Sequence, residues 1–267
     1  MRCLRTAGAA GLLALAACSD TGPAGTSQVE FAVSTRAAAA APSTQFSASE
    51  TYTDLSGDTL DIDSVFVVVR KLKLEGSAAN MACIGDEGEI GDMMSMVSDT
   101  GDSHEAEDEC GELKLGPFLV ELPVGAGGAE RQFVVTVDTG TYSEVKFQIH
   151  KPEGAGDADF LVAHPEYDGV SIRVVGRWNG TPFVFVTGVT DVQEVEFDPP
   201  LVVGEASVSF TLFVDLAGWF RAEDGSLVDP ATALGDGVNT TLVHQNIIRS
   251  FHAFEDEDHD GQDDHSD

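Results

Sequence analysis

The chain of 267 residues carries 46 Asp and Glu against 14 Lys and Arg, which gives a formal net charge of −32. A field of that sign repels nucleic acid and anionic lipid headgroups, so the composition argues against a nucleic-acid partner and against electrostatic attachment to a membrane. Hydrophobic residues make up 42% of the sequence, enough for a large globular core. We expect the acidic surface to serve solvation first and calcium attraction second.

Residues 1–17 have the layout of a secretory signal. Arg2 and Arg5 supply a basic start, and Ala9–Ala17 is an apolar run that ends in small residues. The run is too short to span a membrane. We therefore expect these residues to direct export and to be removed afterwards.

A cysteine follows this run directly, in the sequence Leu15-Ala16-Ala17-Cys18. The sequence resembles the lipobox of bacterial lipoproteins, and this resemblance implies cleavage before Cys18 and attachment of an acyl chain such as palmitate. An ordinary signal peptide with an incidental cysteine is the alternative. Because Asp does not follow Cys18 directly, the resemblance implies a lipid anchor in the bacterial cell envelope at the outer membrane, on its periplasmic or its surface face.

A polar spacer follows the cysteine. Residues 18–27 include Gly22, Pro23 and Gly25, the composition of a flexible segment. We expect this segment to tether the folded body to the bilayer.

The body, residues 28–238, has the pattern of strands. Apolar and polar residues alternate with a period of two over several short segments, and β-branched residues are dense in residues 60–74. The dipeptide Asn179-Gly180 predicts a hairpin, since both of its turn positions need a positive φ. Many short strands with turn signals between them, and no βαβ rhythm, predict an all-β fold, an antiparallel β-sandwich.

An acidic insertion, residues 76–112, interrupts these strands. Between Cys83 and Cys110 it carries no Lys or Arg, and it is too acidic and too rich in glycine to form a buried core of its own. Because export delivers the chain to an oxidising compartment, we expect a disulfide between the two cysteines that closes the insertion. Two free thiols or a soft metal site are the alternatives.

Three methionines lie within the insertion. Met93, Met94 and Met96, with His104 nearby, have the ligand types of a Cu(I) site. Methionine also commonly fills irregular gaps in a core, and we favour a cap over an apolar patch.

One helix is predicted near the end of the body, at residues 239–255. Asn239 can cap it, and Leu242, Phe251 and Phe254 recur near a 3.6-residue period. We expect this helix to pack an apolar stripe onto the sandwich.

Four segments together resemble a group of uncharacterised bacterial lipoproteins: Gly140–Phe147, Asn179-Gly180, Asp215–Arg221 and Asn246–Asp256. The resemblance covers roughly residues 60–256. The sandwich domain of that group is similar to the transthyretin or carboxypeptidase-regulatory type. Because these segments are structural, the resemblance implies a fold and no reaction.

Residues 256–267 have carboxylates at positions 1, 3 and 5, glycine at 6 and acids at 9 and 12. A calcium ion needs six to eight oxygens at short range, which such a loop supplies. The pattern resembles calcium loops of the EF-hand, dockerin and thrombospondin type-3 kinds, and a solvated acidic tail is the alternative. The resemblance implies these ligands: side chains of Asp256, Asp258 and Asp260, the backbone carbonyl of Gln262, a direct or water-mediated contact from Asp264, and the closing carboxylate of Asp267.

Catalytic patterns are weak in this sequence. Gly101-Asp102-Ser103 lies inside the insertion with no strand ahead of it, and His104-Glu105 lacks the histidine that a zinc protease needs at position 108. We expect the histidines of the body to be packed or surface residues: His150, His164, His244 and His252.

These observations predict a non-enzymatic, lipid-anchored binding or assembly module of the envelope. Its ligand, a protein or a glycan, is not specified by the sequence. The alternative is a surface hydrolase or carbohydrate-active enzyme that uses carboxylates in a cleft between loops, since two suitably spaced carboxyl groups suffice for glycoside hydrolysis.

Overall fold

The computed structural model describes residues 25–35, 49–76, 112–114, 116–125 and 129–256. Strand makes up 54% and helix 16%, and the strands form two sheets. The sheets pack as a β-sandwich, so the all-β prediction is confirmed.

Two α-helices accompany the strands in the described residues, α1 Ala158–Ala163 and α2 Thr240–Ile248. The longer one, α2, has nine residues, and no described helix has the length and apolar character that crossing a bilayer demands. The strands, in chain order, are β1 Thr26–Ser34, β2 Glu50–Thr53, β3 Thr59–Gly76, β4 Glu112–Lys114, β5 Phe118–Leu122, β6 Glu130–Asp138, β7 Gly140–Ile149, β8 Ile172–Trp178, β9 Thr181–Thr187, β10 Asp191–Val203, β11 Val208–Val214 and β12 Phe251–Glu255.

The smaller sheet has the strand order β12-β11-β1-β6, and the larger has the order β10-β7-β3-β8-β9. The strands β2, β4 and β5 also pair with β3. The long strand β3 corresponds to the apolar, β-branched segment of residues 60–74, and its pattern is typical of a strand at the centre of a sheet.

Two strands share one side of β3. Residues 60–67 of β3 pair with β8, and residues 69–76 pair with β7. Residues 65–69 also pair with β5. Because a strand has two edges, β5 occupies one of them, and β7 and β8 follow one another along the other.

The changeover from β8 to β7 falls at Val68. Its amide donates to the carbonyl of Ser171 at 2.8 Å, and its carbonyl accepts from the amide of His150 at 2.9 Å. The chain between these two partners, residues 150–171, therefore leaves β3 and returns to it at the same residue. We call this segment the 150–171 excursion.

The smaller sheet is not purely antiparallel, so that part of the prediction is wrong. β1 runs parallel to β11, with Val29 opposite Val208 and Ser34 opposite Phe213. Parallel neighbours need a long crossover connection. Here the crossover is the whole body from β2 to β10, a connection that no local turn signal reveals.

Aromatic rings join the layers of the sandwich. Phe147 of β7 meets Phe251 of β12 edge to face, with ring centroids 5.5 Å apart. The inner face of β8 and β9 is covered by irregular chain and α2 in residues 216–248, where Phe220 packs 5.1 Å from Phe185. Paired rings of this kind add about 0.5–1.5 kcal/mol each beyond the area that they bury.

The C-terminal helix is shorter than predicted. α2 ends at Ile248, and residues 251–255 form β12 against β11, so the predicted helix 239–255 is wrong over its last part. The side-chain amide of Asn239 donates to Thr232 Oγ1 at 2.8 Å and does not cap the helix. Backbone pairing along the edge of β11 outweighs the helical spacing of the apolar residues, because tertiary context overrides local periodicity.

We predict that Gly176→Ala destabilises the larger sheet. A Cβ at this position would lie 2.0 Å from the carbonyl oxygen of Asp61 on β3 and 3.1 Å from the ring of Phe183, so the strands would have to separate. We expect the free energy of unfolding to fall by about 1–3 kcal/mol in urea denaturation. The control is Gly204→Ala, whose Cβ would meet no atom within 4 Å and should change stability by less than ~0.5 kcal/mol. Equal stability of the two variants would contradict the prediction.

Candidate functional site

A buried carboxylate, Asp157, holds the base of the 150–171 excursion. Its Oδ2 accepts from the amide of Glu153 at 2.9 Å and lies 2.9 Å from Nε2 of His150. The guanidinium of Arg70 approaches Oδ1 at 3.9 Å. Burial raises the pKa of Asp157, but the bonds from Glu153 and His150 outweigh burial and hold this pKa below its ordinary value. The charged carboxylate therefore fixes the chain directly before α1.

The helix α1 is apolar, yet none of its residues is buried. It reads Ala-Asp-Phe-Leu-Val-Ala, and Val162 is 85% exposed. The rings of Phe160 and His164 lie 4.8 Å apart, and both face the buried Tyr167. Burial raises the pKa of Tyr167 to about 12, so this phenol stays neutral beneath the helix.

A groove of about 530 Å³ separates α1 from β5 and β6, and we call it the α1 groove. Phe66, Phe118 and Phe160 contribute rings to its walls, and Glu121 and Glu130 contribute carboxylates. Neither carboxylate forms a hydrogen bond or ion pair with the described residues. In the part of the chain that the structure describes, β5 pairs with β3 alone and β6 with β1 alone, so the groove lies beside two open strand edges.

A second groove of about 510 Å³ lies on the opposite side of the sandwich, between β10 and β12. Its wall from β7 and β10 carries Glu144, Glu194 and Glu196. The facing wall, from the end of α2 and from β12, carries Arg249 and His252. The two walls therefore have opposite charge, in contrast to the α1 groove.

Lys146 lies at the centre of a charged cluster beside the second groove. Its Nζ lies 2.9 Å from Glu75 Oε2, 3.2 Å from Glu144 Oε1 and 3.3 Å from Glu194 Oε1. Burial opposes the ionisation of Glu75, but bonds from Lys73 and Lys146 outweigh it and lower the pKa of Glu75 to about 2. Burial and the neighbouring Glu75 raise the pKa of Glu144. Adjacent carboxyl groups on this face thus ionise over different ranges of pH.

Acidic residues also meet at one end of the sandwich, where they serve as hydrogen-bond acceptors. Asp54 Oδ1 accepts from the amides of Ser56 and Asp58, and its Oδ2 accepts from the amide of Leu227 at 2.9 Å. Asp58 Oδ1 accepts from the side chain of Asn179 at 2.8 Å. These carboxylates fasten loops to one another. Across the described ranges, no group of three His, Cys, Asp or Glu residues is arranged to hold a metal ion.

Asp256 is the one predicted calcium ligand that the structure describes. It is fully buried directly after β12, and its Oδ2 accepts from Thr211 Oγ1 of β11 at 2.8 Å. This position of the predicted loop is therefore tied to the smaller sheet. The remaining predicted site residues lie outside the described residues: Cys18, Cys83, Cys110, Met93, Met94, Met96, His104, Asp258, Asp260, Gln262, Asp264 and Asp267.

The four histidines of the body divide into two kinds. His150 and His244 are packed: His150 bonds Asp157, and Nε2 of His244 lies 2.6 Å from Thr187 Oγ1, with burial lowering the pKa of His244. His164 and His252 each line a groove. Neither groove was predicted from the sequence. The signal that could have pointed to the α1 groove is the apolar run between Gly156 and Pro165, which is too short for a packed helix.

Comparison with known proteins identifies no relative of this chain: no family model matches it, and no curated protein or solved structure does so either. The resemblance to bacterial lipoproteins remains a prediction. The function must therefore be argued from the grooves themselves.

We predict that Glu75→Gln lowers stability in a pH-dependent way. The pKa of Glu75 lies at about 2 in the folded protein against 4.5 ordinarily, so its stabilising effect is complete above pH 4.5 and is lost as the pH falls towards 2. Because Glu75 and its partners Lys73 and Lys146 are partly exposed, we expect the free energy of unfolding to fall by about 1 kcal/mol near pH 7. Urea denaturation of both proteins at several pH values measures this difference.

The control for this prediction is Glu166→Gln, an exposed residue that forms no ion pair with the described residues. Its effect on stability near pH 7 should stay within ~0.5 kcal/mol, as is usual for an exposed side chain. A Glu75→Gln difference that stays constant down to the acid end of the range would contradict the assigned shift.

Proposed function

We propose that this protein is a non-enzymatic binding module, lipid-anchored in the bacterial cell envelope, whose α1 groove receives a partner protein. The partner presents Lys or Arg side chains among apolar residues. One observation carries the proposal: an apolar helix with no buried residue stands beside aromatic rings and two carboxylates that have no partner in the described residues. Apolar side chains left on a surface in this way are typical of an interaction site.

The chemistry of the groove favours a cation with an apolar stem. The faces of Phe66 and Phe160 carry the negative side of the ring quadrupole, which attracts ammonium and guanidinium groups. Glu121 and Glu130 offer acceptors for charge-assisted hydrogen bonds. The methylene stems of Lys and Arg pack along apolar surface while their charged heads reach such acceptors.

The charge of the whole chain supports the same choice of partner. A net charge of −32 steers basic surfaces towards the protein and keeps acidic ones away. Steering accelerates association, whereas the rings and carboxylates of the α1 groove select what stays bound.

The anchor belongs to the proposal as well. A lipid on Cys18, followed by the polar tether, would hold the acidic body at a membrane surface that its charge alone would repel. The tether is shorter than the predicted residues 18–27, because Thr26 and Ser27 belong to β1. A disulfide between Cys83 and Cys110 would close the acidic insertion in the same compartment. The supporting evidence for the lipid and the disulfide is the sequence, since Cys18, Cys83 and Cys110 lie outside the described part of the chain.

We also propose that residues 256–267 bind calcium. The supporting evidence is the spacing of the acidic residues in this segment, which suits the six to eight oxygen ligands of calcium. The carboxylate of Asp256 is buried and accepts from Thr211, so it anchors the start of the segment to β11. The bound ion would stiffen the C-terminal end of the sandwich next to β12.

Calcium titration of the full chain carrying Cys18→Ser should give saturable binding by calorimetry at or below millimolar concentration. Asp260→Asn should weaken that binding, whereas the exposed Asp236→Asn should leave it unchanged. No heat of binding at millimolar calcium would remove this site.

The α1 groove is tested with two synthetic peptides, one alternating Lys and Leu and the other alternating Glu and Leu. The Lys peptide should bind the protein in calorimetry, and its affinity should fall as salt is added. Phe160→Ala should raise the Kd about tenfold, the effect of removing an interface anchor of about 1.4 kcal/mol. Changing Glu121 and Glu130 together to Gln should weaken binding and flatten its salt dependence.

The matched control is Leu234→Ala, a comparable apolar truncation at a half-exposed position far from the groove in the sequence. It should bind the Lys peptide like the unchanged protein. Equal affinity for the Glu peptide, or binding that Phe160→Ala does not alter, would overturn the assignment of the groove.

A hydrolase acting on glycans is the second candidate function, and one observation favours it. In the second groove, Glu144 has a raised pKa and lies close to Glu194 and Glu196, which is the pairing of a proton donor with a charged carboxylate that glycoside hydrolysis uses. Lys146 contacts Glu144 and Glu194 together, however, so these carboxylates already neutralise a cation. We therefore rank this function below the binding module.

A further inference from the structure

The strand β9 forms one end of the larger sheet, and after Pro182 near its start its edge lacks the usual protection. Its sequence Thr-Pro-Phe-Val-Phe-Val-Thr contains no charged residue, although 22% of the whole chain is charged. Its pairing with β8 continues through seven residues without a bulge. Natural sheets block open edges with charges or bulges because unprotected edges pair with other chains.

The hairpin at Asn179-Gly180 determines which backbone groups face outward. Both residues have positive φ, 48° and 78°, as a two-residue hairpin turn requires. Trp178 and Thr181, which flank the turn, are therefore a hydrogen-bonded pair, and every second residue of β9 from Thr181 onward bonds β8. The amides and carbonyls of Val184 and Val186 point away from β8.

Two observations agree with this assignment. Pro182 also occupies an outward position, so its missing N–H removes no hydrogen bond between β9 and β8. The carbonyl of Thr187 accepts from the amide of Ser171 at 2.8 Å, so Thr187 faces β8 as the alternation requires. In the described residues, no backbone hydrogen bond outside the sheets reaches Val184 or Val186.

The strands β8 and β9 at this edge carry no acidic residue. The side chains of Val184 and Val186 are 48% and 38% exposed. The neighbouring strand β8 contributes Arg173 and Arg177 and no Asp or Glu. In a chain with 46 acidic residues, this edge is therefore a place where a copy of the same charge can approach with little local repulsion.

We propose that β9 pairs antiparallel with β9 of a second copy of this chain, which joins the two larger sheets into one continuous sheet. In the register centred on Phe185, Val184 lies opposite Val186 of the second copy and Val186 opposite its Val184. Every outward amide and carbonyl of these valines then finds a partner, and the exposed side chains of the valines cover one another.

The sequence of β9 suits a two-fold contact. An interface of this kind uses the same patch on both copies, so residue i meets residue j and j meets i. Around Phe185 the strand places Val on both sides, which satisfies that condition with side chains of equal size. A strand from an unrelated protein would pair with the same edge, but the symmetry of Val184 and Val186 would then have no role.

Sedimentation velocity of the full chain carrying Cys18→Ser tests the proposal. We expect a monomer–dimer equilibrium that strengthens about tenfold between low salt and roughly 0.5 M NaCl, because screening weakens the repulsion between two acidic bodies. Val184→Lys should weaken the dimer at least about tenfold, since a charged side chain would replace the valine that packs against Val186 of the second copy. The control is Val202→Lys, at a 61% exposed valine on β10.

A second measurement checks the register and does not depend on the stability of the Lys variant. A mixture of a Val184→Cys chain and a Val186→Cys chain should form a cross-linked dimer on oxidation, because directly opposite residues lie close enough for a disulfide. Either variant alone should cross-link several times less, as judged by mass spectrometry of the new disulfide. A monomer at high salt and high protein concentration, a dimer that Val184→Lys leaves intact, or equal cross-linking by the single variants would each overturn the proposal.

Discussion

The two backbone hydrogen bonds of Val68 fix the geometry on which both the sheet and the α1 groove depend. They join the end of β7 and the start of β8 to one residue of β3, so the 150–171 excursion emerges from within the sheet instead of at its margin. A tight turn between two adjacent strands would have left no room for α1. Because the excursion is closed at its base and held there by Asp157, the short helix can display apolar residues without being packed itself.

The chain has 14 Lys and Arg against 46 Asp and Glu, and several of these basic residues join acidic side chains at particular places in the structure. Lys73 and Lys146 serve the charged cluster beside the second groove, and Arg70 approaches Asp157. Within the described residues, Glu121 and Glu130 of the α1 groove form no ion pair, and aromatic rings lie beside them. Aromatic faces and acids in one concave surface would make that groove selective for the proposed partner.

Local patterns in the sequence predicted the strands well and their arrangement poorly. The density of β-branched residues identified β3, the period of two identified β11, and the Asn179-Gly180 turn identified the hairpin of β8 and β9, because these signals are contained within a few neighbouring residues. The parallel pairing of β1 with β11 depends on contacts between distant parts of the chain. The helical spacing of Phe251 and Phe254 was misleading, since the open edge of β11 offered this segment a better set of hydrogen bonds.

The α1 groove was beyond prediction for a similar reason. Its rings and carboxylates come from β3, β5, β6 and α1, which are far apart in sequence, and α1 has six residues, too few to show a period. The predictions of a calcium loop and a lipid site each rest on a contiguous motif. A contiguous motif can be identified in a single sequence, whereas a groove built from four elements can be identified only once the fold is known.

The proposed groove and the proposed dimer would use opposite edges of the same sheet. Across the first half of β3 the strands follow the order β5, β3, β8 and β9, so a second copy paired along β9 leaves the β5 edge and its groove open. Such a dimer would carry two outward grooves on one rigid sheet. When the partners are held at the same membrane, binding at one groove brings the other groove close to a second partner, so the second binding event becomes intramolecular. A groove of modest affinity would then be enough to retain the partners.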